Sequence, residues 1–381
     1  MPPGTLAFIR SHPILKLTSL QIDVDPGLWD VERQLDLLAA NGVRYVVLHK
    51  QPLPPQPPID AAIMADWRAL FGPEVHYEDD ELAVYRLSPG QNAPPILRLG
   101  NLGLLEARLR RTWVLAPDVR SGEHPEEWAI VELTWTALDD LRPATARSLQ
   151  SAGALSVGLA LLGPEGLPVS TLGGTPISPR YPTSRWPQGV VVADRYALPL
   201  APEMPAGAYR LRIVLLDETT GLPLAQSELP VQLGAEAEPL VPALAEMAQV
   251  AGVSYGGELR LLGYTTRAEG GQLHVDLYWL AERAPALKLK FFVHLVQDRD
   301  GAIVAQHDAM PRHWSYPTDL WNRGEVFVER IALDVSQAAP GPYHLAVGVY
   351  SVESGRLQAL DRDGQRLPDD QGILGIGELG N

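Results

Sequence analysis

The chain has 381 residues, with 31 basic against 46 acidic side chains and a formal net charge of −15, which argues against nucleic acid or anionic lipid as a partner. It contains no cysteine, which excludes disulfides, thiolate metal sites and thiol nucleophiles. The length exceeds one ordinary core and predicts about two to three domains, and 35 prolines with 34 glycines favour many turns over long helices. No apolar run approaches the roughly 18 residues needed to span a bilayer. The start, "MPPGTLAFIR", lacks the basic end and long apolar core of a signal peptide, so no export address is expected.

Residues 1–90 read as a small α/β domain. "ILKLTSLQIDV" (14–24) has the pattern of an extended segment. Asp25-Pro26 pairs an N-cap with proline at the first helical position, and Leu28, Val31, Leu35 and Leu38 follow at helical spacing until Asn41-Gly42 stops the helix. "VRYVVLH" (43–49) is nearly continuous and apolar, as expected of a strand buried on both faces. The proline-rich 51–58 is a loop, and Asp60 caps a second helix from Ala61 to Leu70. "EVHYEDDELAVYRL" (74–87) predicts a hairpin turning at Asp79-Asp80, with "SPGQNAPP" (88–95) as the exit linker. The order β-α-β-α-β-β places helices on one side of a mixed sheet.

From about residue 94 onward one blueprint is written twice. "YPTSRW" (181–186) returns as "YPTDLW" (316–321), 135 positions later, and Gly189, Asp194-Arg195 and Leu198 match Gly324, Glu329-Arg330 and Leu333 at the same offset. "LSVGLALLGPEGLPV" (155–169) aligns with "KFFVHLVQDRDGAIV" (290–304) at 135, "AIVELTW" (129–135) with "LHVDLYW" (273–279) at 144, and 206–224 with 340–358 at 134. A period this long means a duplicated domain rather than a short-repeat array. Val131, Leu133 and Trp135 alternate with Glu132 and Thr134, and Val275, Leu277 and Trp279 alternate with Asp276 and Tyr278, so each strand buries one face. Turn signals at 163–166, 218–221 and 298–301 separate such strands. The expected fold is mainly β: two tandem antiparallel β-sandwich domains of immunoglobulin-like or jelly-roll-like type, 94–235 and 244–381, joined by "GAEAEPLVP" (234–242) and preceded by the α/β domain.

Within each copy, Tyr209 and Tyr343 occupy a Gly-x-Tyr-x-Leu step, where a tyrosine hydroxyl can close a corner on its own chain. The Tyr-Pro-Thr motif reads as the connection into the strands 190–198 and 325–333, with its tryptophan on the core edge. Exposed rings on a sandwich also stack on sugars. Trp314 and Trp321, which flank a turn, are the candidate ligand-binding residues together with Asp308 and His313, with Trp113 and Trp128 behind them. No metal site is expected, although His294, His307, Asp308 and His313 lie close in sequence, because three or four would have to converge. His294, in an apolar strand, reads as a core residue. The Asp298-x-Asp300-Gly301 and Asp361-x-Asp363-Gly364 steps lack the closing bidentate glutamate of a calcium loop and read as turns. No phosphate loop, dinucleotide fingerprint or nucleophile elbow is present, no cofactor is implied, and no acid pair stands out for glycoside hydrolysis.

"NGVRYVVLHKQPL" with "FGPEVHYEDDELAVYRL", and then "LRLLGY", "FFVHLVQDRDGAIVAQHDAMP", "YPTDLWNRGE" and "GPYHLAVGVYSVESGRL", resemble the C-terminal extracytoplasmic region of multi-spanning membrane glycosyltransferases. The type is that of dolichyl-phosphate-mannose or arabinose transferases, in versions from Chloroflexota-like bacteria. The resemblance implies a non-catalytic, extracytoplasmic module, membrane-associated through a separate segment, with a glycan or lipid-linked sugar and a membrane glycosyltransferase as partners. The alternative is a free-standing carbohydrate-binding protein. The catalytic acids of that family lie near membrane helices for which this sequence has no counterpart, so none is carried over.

Overall fold

The computed structural model describes residues 9, 14–15, 31–50, 64–65, 68, 71, 74–87, 94–115, 125–142, 154–202, 204–312 and 316–379. In the leading unit, α1 (Val31–Ala40) packs on three strands, β1 (Tyr45–His49), β2 (Tyr77–Glu78) and β3 (Leu82–Arg86), in the order β1-β3-β2. The helix ends as expected. Gly42 takes φ 84°, and the N–H groups of Gly42 and Val43 return to Ala39 and Leu38, each at 3.0 Å. The hairpin also turns where expected, with Asp79 Oδ1 accepting the N–H groups of Glu81 and Leu82. Three readings change. The described sheet is antiparallel throughout rather than mixed. β1 is buried on one face only: Val46 and Leu48 pack with Leu38 and Ala39, whereas Tyr45 and Val47 point away from the helix and are each 48% exposed. Ile14 and Leu15 are helical rather than extended. The Asp25-Pro26 start and most of the Ala61–Leu70 helix lie outside the described residues.

The remainder is β, in two sandwiches. The first comprises β4 (Leu97–Leu99), β5 (Leu102–Leu115), β6 (Glu126–Ala137), β7 (Leu155–Leu162), β8 (Pro168–Pro176), β9 (Val191–Pro199), β10 (Gly207–Asp217), β11 (Pro223–Leu233) and the short β12 (Glu238–Pro239). Its sheets run β12-β5-β6-β9, with β4 also on β5, and β11-β10-β7-β8. The second comprises β13 (Gln249–Tyr255), β14 (Leu259–Glu269), β15 (Gln272–Ala281), β16 (Lys290–Gln297), β17 (Ile303–Ala309), β18 (Val326–Asp334), β19 (Gly341–Ser351), β20 (Gly355–Arg356), β21 (Ala359–Leu360) and β22 (Gly372–Leu379). Its sheets run β18-β15-β14-β13-β21 and β17-β16-β19-β20, with β22 also on β19.

The strand orders superimpose: β4 to β11 take the places of β13 to β19 and β22. Even irregularities are shared, since β5 bulges between Leu104 and Glu106 where β14 bulges between Leu261 and Gly263. One alignment shifts. Val157 pairs Leu215 in the first copy, and Phe291 pairs Val349 in the second, so β7 matches β16 at offset 134, not 135. The extra residue sits in the next turn, closed by a 163-to-167 hydrogen bond in one copy and a 297-to-302 bond in the other.

The repeated hexapeptide is a structural plug. In each copy proline starts a single 3-10 turn, Thr183–Arg185 or Thr318–Leu320. The tryptophan Nε1–H donates back to the tyrosine carbonyl of the same motif, Trp186 to Tyr181 at 2.7 Å and Trp321 to Tyr316 at 3.2 Å. The threonine hydroxyl accepts the N–H that opens β7 or β16, from Leu155 and Leu289, both at 2.8 Å. The corner tyrosines behave as expected, Tyr209 donating to Pro205 O and Tyr343 to Ala339 O, each at 2.7 Å. Tyr209→Phe and Tyr343→Phe should each lower stability by about 1 kcal/mol, read as a shift of the urea midpoint at unchanged slope.

The expectation of one buried face per strand fails for β6. Ala129, Val131, Leu133 and Trp135 face the sandwich core, but Ile130, Glu132 and Thr134 on the other face are also buried. Two neighbours cover that face. From the leading unit, Arg33 donates to Glu106 and Thr134, and the Asn41 side chain pairs both backbone groups of Val191. From the second sandwich, Leu262, Tyr278, Leu280, Val326 and Val328 form a further core with Val114, Leu115 and Ile130. The 234–242 segment is therefore no loose linker. β12 pairs in parallel with β5, and Leu240, Val241 and Leu244 are buried between the two sandwiches.

Candidate functional site

Four of the tryptophans that decide between core and ligand, Trp135, Trp186, Trp279 and Trp321, are fully buried. Trp321 is therefore corrected from a candidate sugar platform to a core residue. Its ring packs on Phe327 at 4.7 Å and edge-on to Phe291 at 6.0 Å, leaving no face for a ligand. Trp314 and His313 lie outside the described residues. Trp113 and Trp128 are half-buried against the inter-sandwich core, and Trp128 Nε1–H donates to Glu126.

Asp308 is exposed, and it belongs to a cluster on the outer face of the β17-β16-β19 sheet. The strand register lines up Asp308, Phe292 and Gly348 in one row, and Lys290 and Tyr350 with Arg356 in another. His294, two residues along β16 from Phe292, points to the same face. It is corrected from core to surface-facing, its Nε2 lying 3.2 Å from Asp308 Oδ2. Phe292 lies flat over Gly348, where an added Cβ would come within 2.2 Å of its ring, so glycine is required for this seat. The His294 and Tyr350 rings flank it at 4.9 and 6.4 Å, and the Arg356 guanidinium covers it at 4.6 Å from the centroid. Burial, followed by the nearby Asp308 carboxylate, pushes the Tyr350 phenol above its ordinary value, so it remains a neutral donor. The face thus offers a tyrosine ring, an imidazole–carboxylate pair and two cations, all reachable from solvent.

The first copy has nothing comparable. At offset 134, Lys290, Phe292, His294 and Tyr350 become Ser156, Gly158, Ala160 and Leu216. The core positions of the two copies remain apolar while this face diverges, which packing alone does not require. Sequence reasoning missed the cluster because the offset of 135 set Phe292 against Val157, a core residue. The correct register was legible in the 134 offset of the β10 and β19 segments.

The aspartate-rich turns hold themselves. Asp361 Oδ1 accepts the N–H groups of Asp363 and Gln365, Asp300 Oδ1 accepts that of Ala302, and Asp298 pairs His344. Among the described residues no group of three His, Asp or Glu side chains is placed to hold a metal ion, and no helix is long and apolar enough to cross a membrane.

One apolar cleft of 250 Å³ opens at the end of the first sandwich, lined by Gly100, Asn101, Leu155, Thr183, Leu215 and Leu224 among others. Among the described residues its lining carries no carboxylate or imidazole, the groups that acid–base hydrolysis needs.

No family model matches the chain, and neither does any curated protein. Among solved structures it is similar to a DUF3823 family protein from Bacteroides ovatus, at 10% identity over 71% of this chain and 97% of that one, with a TM-score of 0.22. It is also similar to the C-terminal domain of the Streptococcus agalactiae AgI/II polypeptide BspA, at 9% identity over 71% and 100%, with a TM-score of 0.17. The corresponding domain of Streptococcus pyogenes AspA gives 9% identity over 70% and 99%, again with a TM-score of 0.17. Likeness at this level carries nothing about the site.

Proposed function

We propose that this protein is a non-catalytic glycan-positioning module that works extracytoplasmically beside a membrane glycosyltransferase. The observation that carries the glycan reading is the cluster on the second sandwich: Tyr350, Lys290, His294, Asp308 and Arg356 on a face that the first copy leaves small and apolar. A phenol ring with fixed donors and acceptors suits the amphipathic face of a sugar. The two cations suit an anionic substituent, such as the phosphate of a lipid-linked sugar. The association with a glycosyltransferase rests on the sequence resemblance of 41–87 and 259–357.

The test is a titration of the protein with neutral and phosphorylated oligosaccharides, followed by calorimetry. Tyr350→Ala and Asp308→Ala should each weaken binding about tenfold, the equivalent of ~1.4 kcal/mol, at an unchanged melting temperature. Absence of saturable binding to any sugar, or binding indifferent to both substitutions, would remove the glycan reading. A pull-down with the protein as bait that recovers no multi-spanning glycosyltransferase from the source membranes would remove the association.

A further inference from the structure

The two sandwiches close their equivalent ends differently. In the second, the chain leaves β20 and crosses to the other sheet. Leu357 donates its N–H to Val349 O, Gln358 O accepts from Gly256, and β21 then adds antiparallel to β13, pairing Ala359 with Tyr255 and Leu360 with Ser254. Ala359 is fully buried in that core. The Tyr255 hydroxyl donates to Val347 O and accepts from Gly372 N, tying the strap's return to the sheet.

Among the described residues the first sandwich has no such strap. β10 turns directly into β11 at Asp217–Leu222. Among the described residues β4, the counterpart of β13, pairs with β5 alone. Leu99 stands where Tyr255 stands, and Leu224 at the cleft rim is 56% exposed. A Cβ built on Gly256 would meet Leu357 at 2.9 Å, whereas one built on the equivalent Gly100 meets only Leu215, at 4.0 Å. The 250 Å³ cleft is the space left over.

We infer that the first sandwich is an acceptor for an extended peptide of a partner protein, which adds as a strand along β4 and seats a leucine-sized aliphatic side chain in the cleft, the place Leu357 takes over Gly256 in the second copy. The occupant's chemistry follows from the second copy, where a Leu-x-Ala-Leu strand does the same in cis. Strand addition supplies backbone hydrogen bonds for affinity, and the pocket selects the side chain. The inference is independent of the glycan reading, which concerns the other sandwich.

The probe is a fluorescent synthetic peptide with the sequence of residues 354–361, titrated into the full chain and read by anisotropy. Saturable binding is expected. It should weaken at least about tenfold in the rim variants Ser184→Trp and Leu224→Trp, each checked for an unchanged melting temperature, and when the peptide residue corresponding to Leu357 is aspartate. Tyr350→Ala should leave it unchanged. No saturable binding, or binding equal in both rim variants, would overturn the inference. So would saturable binding of decanoate with none of the peptide, which would mark the cleft as a lipid-chain site. Concentration-dependent dimerisation abolished by the rim variants, with no peptide binding, would overturn it in favour of a second copy.

Discussion

Trp321→Ala should destabilise the protein by about 3–5 kcal/mol, measured by urea unfolding against the parent chain. The indole is fully buried, packs on Phe327 and edge-on to Phe291, and donates its N–H to Tyr316 O inside its own motif. Removing it leaves a cavity and an unsatisfied buried carbonyl together. Trp186→Ala should behave alike, since its indole is also fully buried and donates to the Tyr181 carbonyl of its own motif. A tryptophan kept for sugar stacking would give the opposite pattern, lost binding with a stability change within about 0.5 kcal/mol. A loss below ~1 kcal/mol for Trp321→Ala would therefore contradict its role as a plug.

Glu132→Ala should cost about 2 kcal/mol, because it removes the carboxylate that the buried Arg33 shares with the partly exposed Arg195 and Arg110. Glu132 is 8% exposed, with Arg195 at 2.7 Å and Arg33 and Arg110 both at 3.8 Å. Burial raises its carboxyl, but Arg195, Arg33 and Arg110 outweigh that and hold it below the ordinary glutamate value. A carboxyl depressed in the folded state contributes stability that is complete above its unfolded value, roughly pH 4.3, and is lost as pH falls through the folded value. Glu132→Gln should therefore flatten the acid limb of the stability profile below about pH 4.5 while leaving its neutral shape unchanged. Arg33 belongs to α1, so Arg33→Ala combined with Glu132→Ala should cost less than the two single changes together. Full additivity would mean that the helix does not dock through this pair.

Much of the β architecture was legible because period-two alternation and turn residues are local signals. Val131, Leu133 and Trp135 announce an inward face without reference to anything distant. The duplication was legible because tightly packed plugs such as Tyr181–Trp186 tolerate little change. What escaped was whatever depended on a neighbour. Glu132 and Thr134 look like solvent-facing residues until Arg33 covers them. Tyr45 and Val47 look buried until the helix is found on one side only. The Phe292 cluster was hidden by a one-residue slip in alignment, which exchanges the faces of a strand and turns an exposed row into an apparent core.

Between the sandwiches, Arg180 donates to Trp321 O and Pro285 O, Arg323 reaches Asp194 and covers the Tyr196 ring at 4.8 Å, and Arg260 forks onto Glu126. These clamps surround an apolar seam through which β12 and the turn at 242–246 are threaded. Such a joint behaves as a strut rather than a hinge. A ligand held on the outer face of one sandwich and a strand held at the end of the other would be presented at a set distance and angle. The second capture would then be governed by geometry instead of by the slack of a tether.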